Sequence, residues 1–85
     1  SVSNVHKVKK GMAEAIEIGV DSSSEKLKDK LISDLGLDEN INIPAIMRGD
    51  EVIMAHGDTQ IHEDDHLIVF YKNKDDIDSF YEKFR

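Results

Sequence analysis

Residues 41–70 read INIPAIMRGDEVIMAHGDTQIHEDDHLIVF, and this stretch decides the fold. It and the tyrosine after it contain three short apolar segments of strand length that are rich in β-branched residues: Ile41–Met47, Glu51–Ala55 and His66–Tyr71. Between the first two, Gly49-Asp50 suits a two-residue hairpin turn that requires a positive φ at its first central residue. Because Pro44 has no N–H to donate, the first strand is predicted to lie at a sheet edge or to be bulged there.

The residues before this stretch predict one more strand and one helix. In Ala15–Val20, apolar residues alternate with polar ones and glycine, which favours a half-buried strand, although the alanines and glutamates nearby favour a helix. Ser22 with Glu25 three residues later predicts a helix that opens on a capping box. This helix is expected to end at Gly36, which suits the left-handed position after a last turn. Its apolar residues recur at helical spacing: Leu27, Leu31, Ile32 and Leu35.

A second helix is predicted at the end of the chain, capped by Asn73 or Asp75. Its apolar stripe has i, i+3, i+4, i+7 spacing and is expected to pack inward: Ile77, Phe80, Tyr81 and Phe84. The predicted order is therefore β-α-β-β-β-α, an α+β fold with a small, mostly antiparallel sheet covered by two helices. Residues 1–10 are polar and lack periodicity, so we interpret them as a connector from an upstream domain, with the domain itself at 11–85.

Composition narrows the classes of function. Eighty-five residues form one small domain near the lower limit for a self-sufficient core. The net charge of −7 disfavours nucleic acid as a partner, and the short basic stretch His6–Lys10 is interpreted as solvated chain. The absence of cysteine excludes disulfides and thiolate zinc sites. The longest apolar run, Leu67–Tyr71, is too short to span a bilayer.

One segment imitates a catalytic motif. His62–His66 matches H-E-x-x-H, but that motif binds zinc from a helix, and here it spans a predicted turn and the start of a strand. A weaker hypothesis is an oxygen-rich site for a divalent cation, built from His56, Asp58 and Asp65 at one end of the sheet. The alternative is that these aspartates only form turns. No catalytic group is predicted, so we do not expect an enzyme.

Five segments carry a resemblance to a known family: Leu35-Gly36-Leu37, Ile43–Arg48, Gly57–Ile61, Asp65–Phe70 and Lys10–Glu17. Taken in chain order, they resemble the TrkA C-terminal domain, also called the C-terminal domain of the regulator of potassium conductance (RCK). The first of them in the chain, Lys10–Glu17, is similar to the corresponding part of the last such domain in the peripheral subunit of Trk potassium-uptake systems. The resemblance covers residues 5–84. Many family members have Gly-Asp where this chain has Asp64-Asp65, and aspartate tolerates the left-handed conformation that such a turn needs.

The resemblance implies a non-catalytic, ligand-sensing regulatory domain that forms a homodimer. It would act on an integral membrane potassium transporter from the cytoplasm, at the inner face of the plasma membrane. An upstream Rossmann domain would bind a nucleotide such as NAD or ATP. Some members bind cyclic di-AMP between protomers, at positions that correspond here to Leu35, Asn42, Ile43 and Pro44. Where those members often carry an arginine, this chain has Ser33 and Asp34, and a carboxylate facing a phosphate disfavours cyclic di-AMP.

Three other interpretations stay open from the sequence. The first is a divalent-cation sensor, the second a similar regulatory domain fused to a cation/proton antiporter. The third is a purely structural dimerisation module that binds no ligand.

Overall fold

The computed structural model describes the backbone of residues 2–7 and all of residues 13–85. The elements within these residues are β1 (Val2–Lys7), β2 (Glu14–Gly19), a 3₁₀-helix (Ile32–Leu35), β3 (Ile41–Arg48), β4 (Glu51–Met54), β5 (His66–Tyr71) and α1 (Lys74–Phe84). The five described strands form one sheet in the order β1-β2-β5-β3-β4, and every neighbouring pair is antiparallel. The predicted α+β class and small antiparallel sheet are confirmed, and so are the four predicted strands.

The first predicted helix, by contrast, is wrong. Residues 22–29 form turns, and only Ile32–Leu35 is helical, as a 3₁₀-helix. The backbone of this segment bonds to a distant loop, because the Asp29 N–H donates to the Ile61 carbonyl (2.7 Å) and the Ile61 N–H donates to the Lys30 carbonyl (2.8 Å). Asp29 itself has a φ of 65°, which an α-helix does not allow. The sheet is therefore covered by one α-helix and an irregular segment.

Residues 1–10 were expected to be a connector. Within them, Val2–Lys7 forms β1 and pairs with β2, with a register irregularity between Val2 and Asn4. The predicted boundary between Lys10 and Gly11 falls at residues 8–12, outside the described residues.

The β3–β4 hairpin follows the turn chemistry of its sequence. Gly49 has a φ of 59°, as the two-residue turn requires. The pairing of β3 with β5 is irregular between Asn42 and Ala45, so the strand is bulged around Pro44, as predicted. β3 lies between β5 and β4, and β4 is the edge strand.

The core lies on one face of the sheet, which we call the inner face. Ile46, Leu67 and Val69 are fully buried there, and α1 contributes Ile77 and Phe80. Tyr81 and Phe84 are half-buried against the same cluster, so the predicted aromatic stripe packs inward. The predicted cap at Asn73 is also confirmed, since its N–H donates to the Asp76 carboxylate (3.2 Å). No described helix has the length and apolar character needed to cross a membrane.

Candidate functional site

The predicted ligand residues lie at the start of β3 and in the segment before it. β4 pairs only with residues 45–48, so the Ile41–Pro44 part of β3 extends beyond its end. Asn42 is exposed there and Pro44 is half-buried, whereas Leu35 and Ile43 belong to the buried core. The structure therefore leaves Asn42 and Pro44 accessible to solvent, whereas Leu35 and Ile43 are buried in the core.

Local hydrogen bonds fix this segment. Gly36 has a φ of 61°, which turns the chain out of the 3₁₀-helix, and its carbonyl accepts from Lys83 Nζ of α1 (2.7 Å). The Ile41 N–H then donates to the Asp38 carbonyl (3.0 Å). At the other end, the Pro44 carbonyl accepts from the Ala55 N–H (2.9 Å). The entry to β3 is thus tied to both α1 and the chain that leaves β4.

Two open grooves run beside α1. One, of about 260 Å³, is bordered by Gly36, Leu37, Ile41 and the Phe80 and Phe84 rings. It adjoins the segment that carries the predicted ligand residues. The other, of about 350 Å³, lies between the end of β2 and the C-terminal half of α1, with Asp21 and Arg85 among its lining residues. Both grooves are lined by a mixture of apolar and polar residues.

An ion pair that the sequence analysis missed holds the opposite end of β3. Arg48 donates to both oxygens of the Asp65 carboxylate, from Nε to Oδ1 (2.8 Å) and from Nη2 to Oδ2 (2.9 Å). Nη2 also donates to the Gln60 carbonyl (3.0 Å), and the carboxylate accepts from the His62 N–H (2.7 Å). The Asp65 side chain is 0% exposed and that of Arg48 is 32% exposed. The pair joins the hairpin to the loop before β5.

The electrostatics of this pair follow from its geometry. Burial raises the pKa of Asp65, but the hydrogen bonds from Arg48 and His62 outweigh burial and hold that pKa below its ordinary value. The hydrogen bond to Asp65 likewise raises the pKa of Arg48. Asp65 is thus a buried carboxylate that stays ionised because its partner is a bidentate guanidinium.

The predicted cation ligands are not brought together. His56 and Asp58 are exposed in the turn after β4, whereas both oxygens of Asp65 already accept hydrogen bonds. Among residues 13–85, no group of three or more histidine and acidic side chains is placed to hold a metal ion. The H-E-x-x-H segment spans a turn and the start of β5, as expected, and His66 Nδ1 lies 2.8 Å from the Glu17 carboxylate.

The face of the sheet away from the core carries exposed apolar side chains. We define the outer patch as Met47, Val52, Met54 and Phe70, whose exposed fractions are 39%, 63%, 69% and 39%. Val52 stands opposite Met47 in the hairpin, and Met54 stands opposite Ala45. The patch therefore runs from the β4 edge across β3 toward β5.

Comparison with known proteins decides the family. The family model described as the TrkA-C domain matches residues 15–85. The chain belongs to the TrkA-C domain family. β1 lies before the matched residues, and β2 begins just before them.

Proteins named Trk system potassium uptake protein TrkA are similar to this TrkA-C domain. The one from Vibrio alginolyticus is 41% identical over 75 residues, which is 86% of this chain and 16% of that protein. The one from Halomonas elongata is 39% identical over 75 residues, which again is 86% of this chain and 16% of that protein. A solved structure of an RCK domain with cda has a TM-score of 0.63 at 25% identity and covers 84% of this chain and 97% of its own. The domain spans about a sixth of the length of these TrkA relatives.

Proposed function

We propose that this TrkA-C domain is a non-catalytic regulatory module of a potassium-uptake system, and that two copies associate to sense a small effector. The observation that carries the proposal is the family match over residues 15–85, supported by TrkA relatives at about 40% identity. The module works in the cytoplasm, where a membrane-embedded potassium transporter subunit is its partner. The nucleotide-binding domain that the family resemblance implies would belong to another part of a longer protein.

The proposed effector site is the entry to β3. Asn42 offers amide donors and acceptors to the effector, and Pro44 offers an apolar surface beside the open end of the sheet. The groove of about 260 Å³ bordered by Gly36 and Ile41 extends this surface toward α1. Asp34 is exposed near the same segment, so we expect the phosphate groups of a nucleotide effector to bind away from this carboxylate.

The mechanism is a shift between dimer geometries. An effector that contacts both protomers binds one geometry more tightly, and the difference in affinity biases the transporter gate. The segment is suited to this because Lys83 of α1 donates a hydrogen bond to the Gly36 carbonyl, so a displacement of the chain before β3 also displaces a contact of the helix.

The proposal is tested by thermal unfolding with a panel of cyclic di-AMP, ATP, ADP, NAD and NADH, each as a concentration series. A ligand at a hundredfold its dissociation constant adds roughly 2.7 kcal/mol, which raises the melting temperature of a domain this size by roughly 10–20 °C. We expect the shift for one ligand to disappear in Asn42→Ala and to persist in Lys26→Ala, an exposed polar control in a turn. A monomeric chain that responds to none of these ligands would contradict the proposal.

The regulatory role needs a separate assay. This domain can replace the corresponding segment of the Vibrio alginolyticus relative, and growth can be followed at limiting potassium. We expect the chimera to support growth and the Asn42→Ala chimera to lose its regulation. A chimera whose uptake is the same with the domain present or deleted would count against a role in potassium transport.

A further inference from the structure

The β4 edge exposes backbone groups that the β3–β4 hairpin does not use. The Ala55 N–H donates to the Pro44 carbonyl, so these two residues form a hydrogen-bonded pair. Because such pairs alternate with non-bonded pairs in an antiparallel ladder, the next bonded residue of β4 is Ile53. The N–H and C=O groups of Val52 and Met54 therefore point away from β3, along the open edge of the described sheet.

The side chains of the same two residues make this edge apolar. Val52 is 63% exposed and Met54 is 69% exposed, more than the other exposed large apolar side chains of the described residues. Proteins usually protect an edge strand with a lysine, a proline or a bulge. Residues 52–54 contain no charge and no proline, and the register of β4 with β3 is regular. The edge is therefore open to pairing with an extended segment.

Acidic side chains stand on both sides of this apolar pair. Asp50 and Glu51 come just before it, Asp58 follows in the turn after β4, and all three are exposed. The guanidinium of Arg48, next to the hairpin turn, is already bonded to Asp65. A strand with apolar residues at its centre and lysine or arginine at its ends therefore complements this edge in both hydrophobicity and charge.

A second copy of the chain does not meet this description. Antiparallel pairing of two β4 strands would bring the Asp58 end of one copy toward the Glu51 end of the other. Like charges would then face each other, in two chains that each carry a net charge of −7. The edge is thus better suited to a partner of opposite charge.

We infer that the β4 edge binds an extended, lysine- or arginine-flanked segment on the cytoplasmic side of the transporter subunit, which adds to the sheet as a strand beside β4. Cytoplasmic loops of membrane proteins carry an excess of lysine and arginine, so the partner of the proposed function supplies the required charge. Val52 and Met54 provide the backbone hydrogen bonds, and apolar side chains of the segment pack beside theirs. This inference rests on the proposed function, because it assigns the surface that the transporter contacts.

Such a contact is expected to be weak and reversible. One added strand of about five residues buries less area than the roughly 1,000 Å² of a stable protein–protein interface. We therefore expect a dissociation constant between about 10 µM and 1 mM. Binding should weaken as salt is added, because the flanking charges are exposed to solvent.

The test uses synthetic peptides of about ten residues that tile the cytoplasmic loops and termini of the membrane subunit of the Vibrio alginolyticus Trk system. Binding to the 85-residue chain is measured by fluorescence anisotropy, and amide hydrogen exchange is followed by NMR. We expect a basic peptide to slow exchange of the Val52 and Met54 amides. The Ile53 amide is already bonded within the hairpin, so its exchange should change less.

Edge variants locate the binding site. Met54→Pro removes an outward N–H without touching the β3 ladder, and Val52→Lys places a positive charge on the edge. We expect each to weaken peptide binding about fivefold to tenfold. Phe70→Lys is the matched control, because Phe70 belongs to the outer patch but lies two strands from the edge, and it should leave binding unchanged. Circular dichroism of each variant reports whether it is folded.

The outcomes separate the inference from the proposed function. A peptide that binds without slowing exchange at Val52 and Met54, or that binds both edge variants as tightly as the wild type, overturns the edge pairing and leaves the transporter partner standing. Slow exchange of these amides in the chain alone, appearing only at high concentration, shows a second copy at the edge and also overturns the inference. If no peptide binds, the inference is overturned, and growth of the chimera decides the proposed function independently.

Discussion

Removing the guanidinium of Arg48 tests how much of this small fold depends on one ion pair. In Arg48→Met the two hydrogen bonds to Asp65 and the one to the Gln60 carbonyl are lost. The Asp65 carboxylate keeps only its bond from the His62 N–H. Methionine preserves most of the apolar length of the side chain, so the change isolates charge and hydrogen bonding from packing.

The magnitude follows from burial. Breaking a buried ion pair by removing one partner costs about 3–5 kcal/mol, because an uncompensated charge is left behind. Arg48 is 32% exposed, so water can partly replace it, and we expect the lower end, about 3 kcal/mol. A chain of 85 residues has a free energy of unfolding of about 4–13 kcal/mol. The melting temperature should therefore fall by about 12–24 °C.

Urea and thermal unfolding, followed by circular dichroism, measure the loss. Asp65→Asn and the double variant Arg48→Met/Asp65→Asn complete a double-mutant cycle, in which the double variant should recover part of the stability lost in Arg48→Met. Lys74→Met removes an exposed ion pair of the same 2.8 Å length to Asp78 and should change nothing measurable. An Arg48→Met variant that loses no more than this control would refute the reasoning.

Three further predictions follow from particular groups. The pKa of Asp65 is depressed in the folded state, so the stability that its ionised carboxylate contributes is fully present above the unfolded pKa of about 3.9 and is lost as the pH falls through the folded pKa. In Asp65→Asn the free energy of unfolding should therefore depend less on pH in the acidic range, as measured by urea titrations at several pH values. Asp64 has a φ of 70°, so Asp64→Gly should raise the free energy of unfolding by about 0.5–1 kcal/mol in urea titrations, and a loss would contradict strain there. Gly36→Ala should lower the free energy of unfolding by about 1–2 kcal/mol, because φ is 61° at this position, while the new Cβ contacts only the flexible end of Lys83. An unchanged midpoint of urea unfolding would show that the turn rearranges to relieve the strain.

The strands were predictable because their signals are local. Alternating apolar residues and the Gly49-Asp50 turn specify the β3–β4 hairpin without reference to the rest of the chain. The bulge at Pro44 follows from a missing N–H in the same way. The last helix has both a cap at Asn73 and an apolar stripe, and both signals agree with its packing on the core.

The prediction of the first helix was wrong because its local signals compete with hydrogen bonds to a distant loop. Leu27, Leu31 and Leu35 have helical spacing, but the backbone between them bonds to residues 59–61. Hydrogen bonds to a loop that lies about thirty residues further on leave no trace in the spacing of apolar residues. Leu27 and Leu35 are buried all the same, so the apolar pattern identified core residues even where it misidentified their secondary structure.

The Arg48–Asp65 pair could have been found only from strand register. Met47 pairs with His66 across β3 and β5, so the next residues along the ladder, Arg48 and Asp65, are opposite each other. The sequence shows an arginine ending one strand and an aspartate opening another, but not that these strands are neighbours. The proposed ligand residues meet the same limit: the sequence places Leu35, Asn42, Ile43 and Pro44 near one another, and only the fold separates the buried pair from the accessible pair.

The residues that stabilise the fold and those of the proposed effector site lie in different parts of this molecule, and that makes the proposed function testable. The Arg48–Asp65 pair lies at the hairpin end of β3, whereas Asn42 is exposed at the other end of the same strand. Asn42→Ala therefore removes a polar group from the proposed site without removing a core contact. A loss of regulation in an Asn42→Ala variant that keeps wild-type unfolding comes from the effector site, whereas a loss in Arg48→Met comes with a lost fold. Unfolding and regulation measured on the same variants therefore distinguish the two causes.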